Sequence, residues 1–317
     1  MIPWLLSGLG LVILLLAGDA LVRGAVNLSL RLGVPALIVS LTIVAFGTSA
    51  PELLIAIKAI MDDAPGIALG NVVGSNTANI LLVLGVPAIL SRLHTSECDT
   101  RKTYVFMLIA SALFIALAFT GTFTALTGGI LLAALAYVLF DAFRDARAHQ
   151  KAGDGVEIDI EELEGADPEM PGWRIALFLV LGLIGLPLGA DLLVDNATVI
   201  AKTYGVSDTV IGLTLVAIGT SLPELATTVM AAIRRQADVA LGNVIGSNMF
   251  NLLAIIGLAT MVGPIPVDPS FLRFDLWVML GASLIIFPFV FMKRDITRRW
   301  GFLLTAAYLV YLAAVLI

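Results

Sequence analysis

Ten apolar stretches divide the chain, near residues 3–31, 35–60, 66–91, 103–121, 123–145, 173–202, 207–233, 238–262, 271–292 and 299–317. A helix needs about 20 apolar residues to cross the hydrocarbon core of a bilayer, and each stretch is close to that length. Hydrophobic residues make up 59% of the chain and charged residues 13%, with a mean hydropathy of +1.02. A soluble domain carries about 25% charged residues, so this much apolar surface cannot be hidden in a water-soluble core. The runs are continuous rather than alternating, which argues against a β-barrel. The predicted fold is an all-α membrane protein with ten transmembrane helices. The first stretch lacks a basic n-region and a small-residue cleavage site, and reads as a retained helix rather than a signal peptide.

Lys and Arg positions predict the orientation. Fifteen of the 18 basic residues fall in one alternate set of connections, among them Arg31, Arg92, Arg101, Arg144, Arg174, Arg234 and Lys293. The other set keeps Lys58, Lys202 and Arg273. The basic face is expected to be cytoplasmic. Both termini then lie outside and the central loop inside, in a multi-pass protein of the plasma (inner) membrane. Cys98 is the only cysteine, so an internal disulfide is excluded. His94 and His149 are expected in loops, so a histidine metal site or proton relay is not expected.

The chain repeats itself at a shift of 172 residues. Between Leu41–Gly85 and Leu213–Gly257, 22 of 45 positions are identical without a gap. The shared blocks are LTxVAxGTSxPEL and ALGNVxGSNxxN. The shift spans five predicted helices, an odd number, so the two copies must cross the membrane in opposite senses. This is the inverted-repeat plan of secondary transporters, with the substrate site at the repeat interface near the midplane. The expected organisation is a first five-helix repeat over 1–147, an acidic cytoplasmic linker over 148–172, and a second repeat over 173–317. An old duplication kept for packing would preserve small and apolar residues. It does not explain matched polar groups at membrane depth, which are expensive and mark function.

Each repeat predicts a helix broken at its GTSxPE block, helices two and seven of the ten. Pro51 and Pro223 lack an N–H and clash with the carbonyl four residues earlier. Gly47 and Gly219 permit unwound backbone. Thr48, Ser49, Thr220 and Ser221 are candidate N-caps of the second half-helices. Irregular backbone at this depth survives only where it lines a cavity or is buried in protein, and the C-terminal end of the first half presents a negative dipole that favours a cation. Glu52 lies four residues after Thr48 and seven after Ala45; Glu224, Thr220 and Ala217 have the same spacing, which suits one helical face. Ser75 and Asn79 are four apart on the next helix, as are Ser247 and Asn251. Two carboxylates, hydroxyls, amides and loose carbonyls form a set of hard oxygen donors. Ca²⁺ takes about 6–8 such oxygens, and Na⁺ also suits them, whereas soft metals want Cys or His. Two buried glutamates repel each other, so the site must take up counter-ions or protons.

The doubled GTSxPE and GNVxGSNxxN blocks resemble the α-repeats of the sodium/calcium exchangers in the cation/Ca²⁺ antiporter superfamily, a prokaryotic member over nearly the whole chain. The resemblance implies Glu52 and Glu224 as the central Ca²⁺ ligands, assisted by the carbonyls of Thr48 and Thr220. It implies Na⁺ sites built from Ala45, Ser49 and Ser75 and from Ala217, Ser221 and Ser247, with Asn79 and Asn251 at the centre. It further implies that helices one and six slide past the bundle. Several prokaryotic and K⁺-dependent relatives hold Asp where this chain has Asn251, which leaves two central carboxylates. Three Na⁺ would leave the pair with one positive charge and one Ca²⁺ with none, so electrogenic, K⁺-independent exchange is expected.

Other features have plainer readings. Asp19 and Asp191 match across the shift, and Asp19 can pair with Arg23 at i,i+4; a gating role is the alternative. Asp195 is expected to face the cytoplasmic half or an aqueous passage. Asn71 and Asn243 are expected to cap or brace the broken helices, with direct ligation as the alternative. The acidic segment 153–169 lacks EF-hand spacing and reads as a solvated linker. An H⁺/Ca²⁺ antiporter is the nearest rival function; a cation channel and an intramembrane hydrolase come from other classes. No GxGD motif supports the hydrolase, and no enzyme activity is expected. Mg²⁺ holds its water tightly, so Ca²⁺ ranks ahead of it as cargo. Proton competition is expected under either antiport reading. Nothing in the sequence calls for a cofactor, a nucleic acid or an obligate protein partner; the partners are the ions and the bilayer.

Overall fold

The structure, a computed structural model, describes residues 2–152, 166–205 and 217–316. It is built almost wholly of helices: α1 (Ile2–Leu32), α2 (Ala36–Thr48), α3 (Ala50–Met61), α4 (Pro65–Leu90), α5 (Arg101–Ala118), α6 (Ala125–Ala152), α7 (Gly172–Thr203), α8 (Leu222–Ile233), α9 (Ala237–Val262), α10 (Asp275–Phe291) and α11 (Arg298–Leu316). Six of them, α1, α4, α5, α6, α7 and α9, are long and apolar enough to cross a membrane. The pair α2 and α3 qualifies jointly as a seventh span, bent by 40°. Helices α8 and α10 are apolar but shorter. The part of the seventh predicted span before Ala217, and the acidic segment over 153–165, lie outside the described residues.

Local signals explain the ends of these helices. Gly33, at φ +64°, closes α1 while its N–H donates to Leu30 O and that of Val34 to Ser29 O, the paired bonds of a left-handed helix stop. Helices α3 and α8 stop the same way at Asp63 and Arg235, which match at the 172-residue shift and share φ values of 54° and 56°. Pro65 begins α4, where its missing N–H costs nothing. Two short pairings staple the connections. Thr122–Phe123 (β1) lies antiparallel to Ile265–Pro266 (β2), and Leu93 exchanges two backbone bonds of 3.1 Å with Ile296. Beside the second staple, partial burial alone would raise the Asp295 carboxyl. The Ser96 amide and the Arg92 guanidinium outweigh it and hold Asp295 below the usual carboxylate range.

Four sequence expectations change here. His149 lies inside α6, which runs to Ala152 instead of ending near 145. Ser49 and Ser221 do occupy N-cap positions with a proline just inside, but neither side chain caps its helix. The residue that leaves helical geometry at the first break is Ser49, at φ −87° and ψ 4°, while Gly47 stays helical. Gly47 and Gly219 instead make room for α7: a Cβ on Gly47 would run into the Leu183 side chain, and one on Gly219 would stand 2.7 Å from Val194 Cγ2. The bend also divides Ala45 and Thr48 on α2 from Glu52 on α3, so the three do not share one continuous helical face.

Helices α4 and α9 are the most buried and occupy the centre. Glycines let α2 cross α9 closely: a Cβ on Gly246 would stand 2.6 Å from Leu41 O, and one on Gly242 2.9 Å from Leu37 O. Ser40 fixes the crossing by donating to Val239 O at 2.7 Å. Helices α1 and α7 pack along each other on one flank, again through glycine. A Cβ on Gly182 would stand 2.6 Å from Leu21 Cβ, and one on Gly189 2.9 Å from Leu14 N. At Gly18 the pair meets α8, where a Cβ would stand 2.9 Å from Ala226 O. Substituting Gly182→Val should lower the thermal unfolding midpoint by an amount equivalent to about 1–3 kcal/mol, the usual cost of overpacking. Gly8→Ala, with nothing within 4 Å, should leave the midpoint unchanged, as followed by fluorescence of the purified protein.

Candidate cation site

The first turns of α3 and α8 carry Glu52 and Glu224. Both are fully buried, at 0% exposure, and stand close enough to repel each other. A carboxylate in a first helical turn is favoured by the helix dipole, which offsets part of the cost of burying it. Glu224 Oε1 accepts a bond from Ser49 Oγ at 3.2 Å. Glu224 Oε2 and both Glu52 oxygens have no hydrogen-bond partner among the described residues. Burying a charge without a partner is costly, so this pair is a candidate place for cations, with the hydroxyls of Thr48 and Ser247 also beside Glu224.

Neutral oxygens surround the pair. Thr48 Oγ1 donates to Asn243 Oδ1 at 3.2 Å and lies 3.4 Å from Ser247 Oγ. At the 172-residue shift, Thr220 Oγ1 donates to Asn71 Oδ1 at 3.4 Å. Asn243 Nδ2 reaches Glu224 O and Thr228 Oγ1 at 3.3 and 3.2 Å. Asn71 and Asn243 thus brace each broken segment against a helix of the other repeat copy, and Asn243 also ties α9 to α8. Ser75 Oγ and Ser221 Oγ are buried without hydrogen-bond partners among the described residues. Ser75, Asn71 and Thr220 line a cavity of about 550 Å³. Of the two central amides, Asn79 Nδ2 donates to Asn248 Oδ1 at 3.1 Å and keeps its own oxygen free, while neither polar atom of Asn251 has a partner among the described residues. The Ala45 carbonyl is less open than the sequence suggests. It accepts Ser49 N at 3.1 Å and lies 3.3 Å from Thr48 Oγ1, whose single hydrogen goes either to it or to Asn243 Oδ1. Ala217 opens the single turn Ala217–Gly219.

Sequence reasoning passed over Asn76 and Asn248. They lie 172 residues apart and exchange side-chain bonds to each other's carbonyls at 3.2 and 3.3 Å, joining α4 to α9. Their position in the doubled GSN block was the available signal. Also unforeseen is the widened π-helical backbone at Ser40–Val44 and at Phe250–Ile255, the latter carrying Asn251; such turns recur at functional sites. Asp19 pairs with Arg23 at 3.0 Å as expected, and also with Arg234. Asp191 and Asp195 line a second cleft of about 350 Å³ that reaches Pro51 and Thr220.

These features define a helical protein of membrane type with a central, oxygen-lined candidate cation site. The profile of the family described as sodium/calcium exchanger protein matches residues 2–143 and 174–317, and the chain belongs to that family. The sodium/calcium exchanger MaX1 of Methanosarcina acetivorans is 34% identical over 98% of this chain and 97% of its own length. The inner membrane protein YrbG of Escherichia coli is 36% identical over 96% and 94%. The putative antiporter CaxA of Alkalimonas amylolytica is 34% identical over 95% of each chain. The solved structure of the sodium–calcium exchanger NCX_Mj soaked with zero Na⁺ and Ca²⁺ superposes with a TM-score of 0.81 at 32% identity, covering 99% of this chain and 98% of that one. The chain is accordingly an integral membrane protein of the cation/Ca²⁺ antiporter type, in a family of transporters rather than enzymes.

The two kinds of asparagine should separate by experiment. Asn248→Ala removes the acceptor of Asn79 Nδ2 and the bond to Asn76 O and should lower the thermal midpoint, since an orphaned buried group costs about 1–3 kcal/mol. Asn251→Ala removes no bond to the described residues and should leave the midpoint near that of the parent protein in ion-free buffer.

Proposed function

We propose that the protein exchanges Na⁺ for Ca²⁺ across the plasma (inner) membrane by alternating access. The observation that carries this reading is the facing pair Glu52 and Glu224, buried with three oxygens unpartnered among the described residues. One Ca²⁺ neutralises the pair and several Na⁺ can replace it. Glu52, Glu224 and the carbonyls of Thr48 and Thr220 hold Ca²⁺. Na⁺ is held by Ala45, Ser49 and Ser75 on one side and by Ala217, Ser221 and Ser247 on the other, with Asn79 and Asn251 between them.

The architecture in this reading is ten spans in two inverted five-helix repeats. The bonds Thr48–Asn243 and Thr220–Asn71, and the reciprocal Asn76–Asn248 pair, support it because they fall into register at the 172-residue shift. The basic connections lie in the cytoplasm and both termini outside. Both clefts that reach Thr220 are lined from the less basic face, by residues such as Ser270 and Thr198, which suits an outward-facing state. Helices α1 and α7, tightly packed on each other, supply the sliding unit. Asn251, in place of a third central carboxylate, favours exchange that needs no K⁺ and moves net charge.

Proteoliposomes loaded with Na⁺ and diluted into Na⁺-free buffer should take up ⁴⁵Ca²⁺ without added K⁺, and Glu52→Gln should abolish the uptake. Because more positive charge leaves with Na⁺ than enters with Ca²⁺, an interior-positive potential should accelerate it. Uptake driven by a pH gradient alone would favour the H⁺/Ca²⁺ reading, and uptake indifferent to both gradients would indicate a channel.

A further inference from the structure

The larger cavity holds a third carboxylate that the exchange site does not use. At its inner end stand Asn71, Ser75 and Thr220; at its outer end stand Ser270, which is exposed, and Asp275. Between them the wall is mostly apolar, with Ile55, Ile67 and Val73 among its residues. Among the described residues, Asp275 is the only carboxylate in the lining, and no basic side chain contributes to it. It sits in the first turn of α10. Its recorded hydrogen-bond partner is neutral: Tyr311 Oη donates to Asp275 Oδ1 at 3.4 Å, and the Tyr311 ring stacks with that of Phe274. The hydroxyl holds the carboxylate in place without cancelling its charge. A single uncancelled charge in a passage with low-dielectric walls focuses its field along that passage.

The arrangement belongs to one half of the chain. At the 172-residue shift, Asp275 corresponds to Thr103, Tyr308 to Ala136 and Tyr311 to Leu139. If the halves are inverted copies, the counterpart of Asp275 itself on the opposite face is uncharged, although Phe271 of the same lining corresponds to Asp99.

We infer that Asp275 is a vestibule carboxylate that concentrates cations on their way from this face to Ser75 and Thr220, and does so from this face alone. The inference rests on the exchange reading above. A local potential acts on an ion through a Boltzmann factor, so its effect on a divalent ion is the square of that on a monovalent ion. Removing the charge should therefore weaken apparent affinity for Ca²⁺ more than for Na⁺.

The test is the apparent KM for Ca²⁺ and for Na⁺ in right-side-out and in inside-out membrane vesicles, with vesicles lacking the protein as baseline. In right-side-out vesicles, Asp275→Asn should raise the KM for Ca²⁺ about tenfold and that for Na⁺ about threefold, and should flatten the dependence of the Ca²⁺ KM on ionic strength. The maximal rate should be unchanged, which also reports that the variant folds. In inside-out vesicles both KM values should stay at parent levels. Asp275→Glu should restore the parent KM, and Tyr311→Phe, which keeps the charge, should stay within about twofold of it. No shift in either orientation, or equal shifts in both, would overturn the inference while leaving the exchange reading intact. Absence of Na⁺-driven uptake by the parent protein would overturn the exchange reading and this inference with it.

Discussion

Two glutamates that cannot reach water, Glu52 and Glu224, set the terms for the rest of this structure. A buried carboxylate without a partner is among the most expensive groups a protein can hold. Here the surroundings supply part of the compensation and leave the remainder to ions. Each glutamate sits in the first turn of a helix that begins at a break, so helix dipoles favour its charge. Ser49 donates to Glu224 from the other repeat copy. The other three oxygens are the ones that the proposed exchange reading assigns to ions.

The scaffold keeps these groups close by tying each repeat copy to the other. Thr48 reaches Asn243, Thr220 reaches Asn71, and Asn76 and Asn248 bind each other's backbones. In a membrane core such bonds have no competing water, and small residues let the helices approach closely enough to form them. Gly242 and Gly246 allow α2 onto α9, and Gly182 and Gly189 allow α7 onto α1. The flanking pair α1 and α7 meets the site-bearing segments through apolar contacts such as Leu183 at Gly47 and Val194 at Gly219. The directional exception is Asp19 on α1, which pairs with Arg234 at the end of α8, and a sliding motion would have to break that pair.

Much of this was legible in the sequence because bilayer physics leaves few choices. Apolar run lengths exposed the long helices, and polar residues repeated inside those runs exposed the site. Glu52, Glu224, Thr48, Ser49 and Ser75 all lie buried where the doubled motifs put them. What escaped was set by three-dimensional packing. The capping role assigned to Ser49 was wrong because a hydroxyl beside a buried carboxylate has a better partner than a helix N–H; Ser221 does not cap its helix either, and its hydroxyl has no partner among the described residues. Gly47 was read as a hinge, yet its missing side chain serves Leu183, a residue 136 positions away in the chain. The structural pair Asn76 and Asn248 could not be told from the free Asn251 by type or spacing, since all three lie in the same repeated block. The π-helical turns carry no residue signature at all.

The central claim is that one carboxylate pair serves both ions in alternation. Equilibrium ⁴⁵Ca²⁺ binding to the purified protein, titrated with Na⁺ at constant ionic strength, tests it most directly. The account predicts that Na⁺ displaces Ca²⁺ completely and with a steep, cooperative curve, and that the Glu52→Gln, Glu224→Gln double variant binds no Ca²⁺. Ca²⁺ binding that persists at saturating Na⁺, or that survives in the double variant, would contradict it.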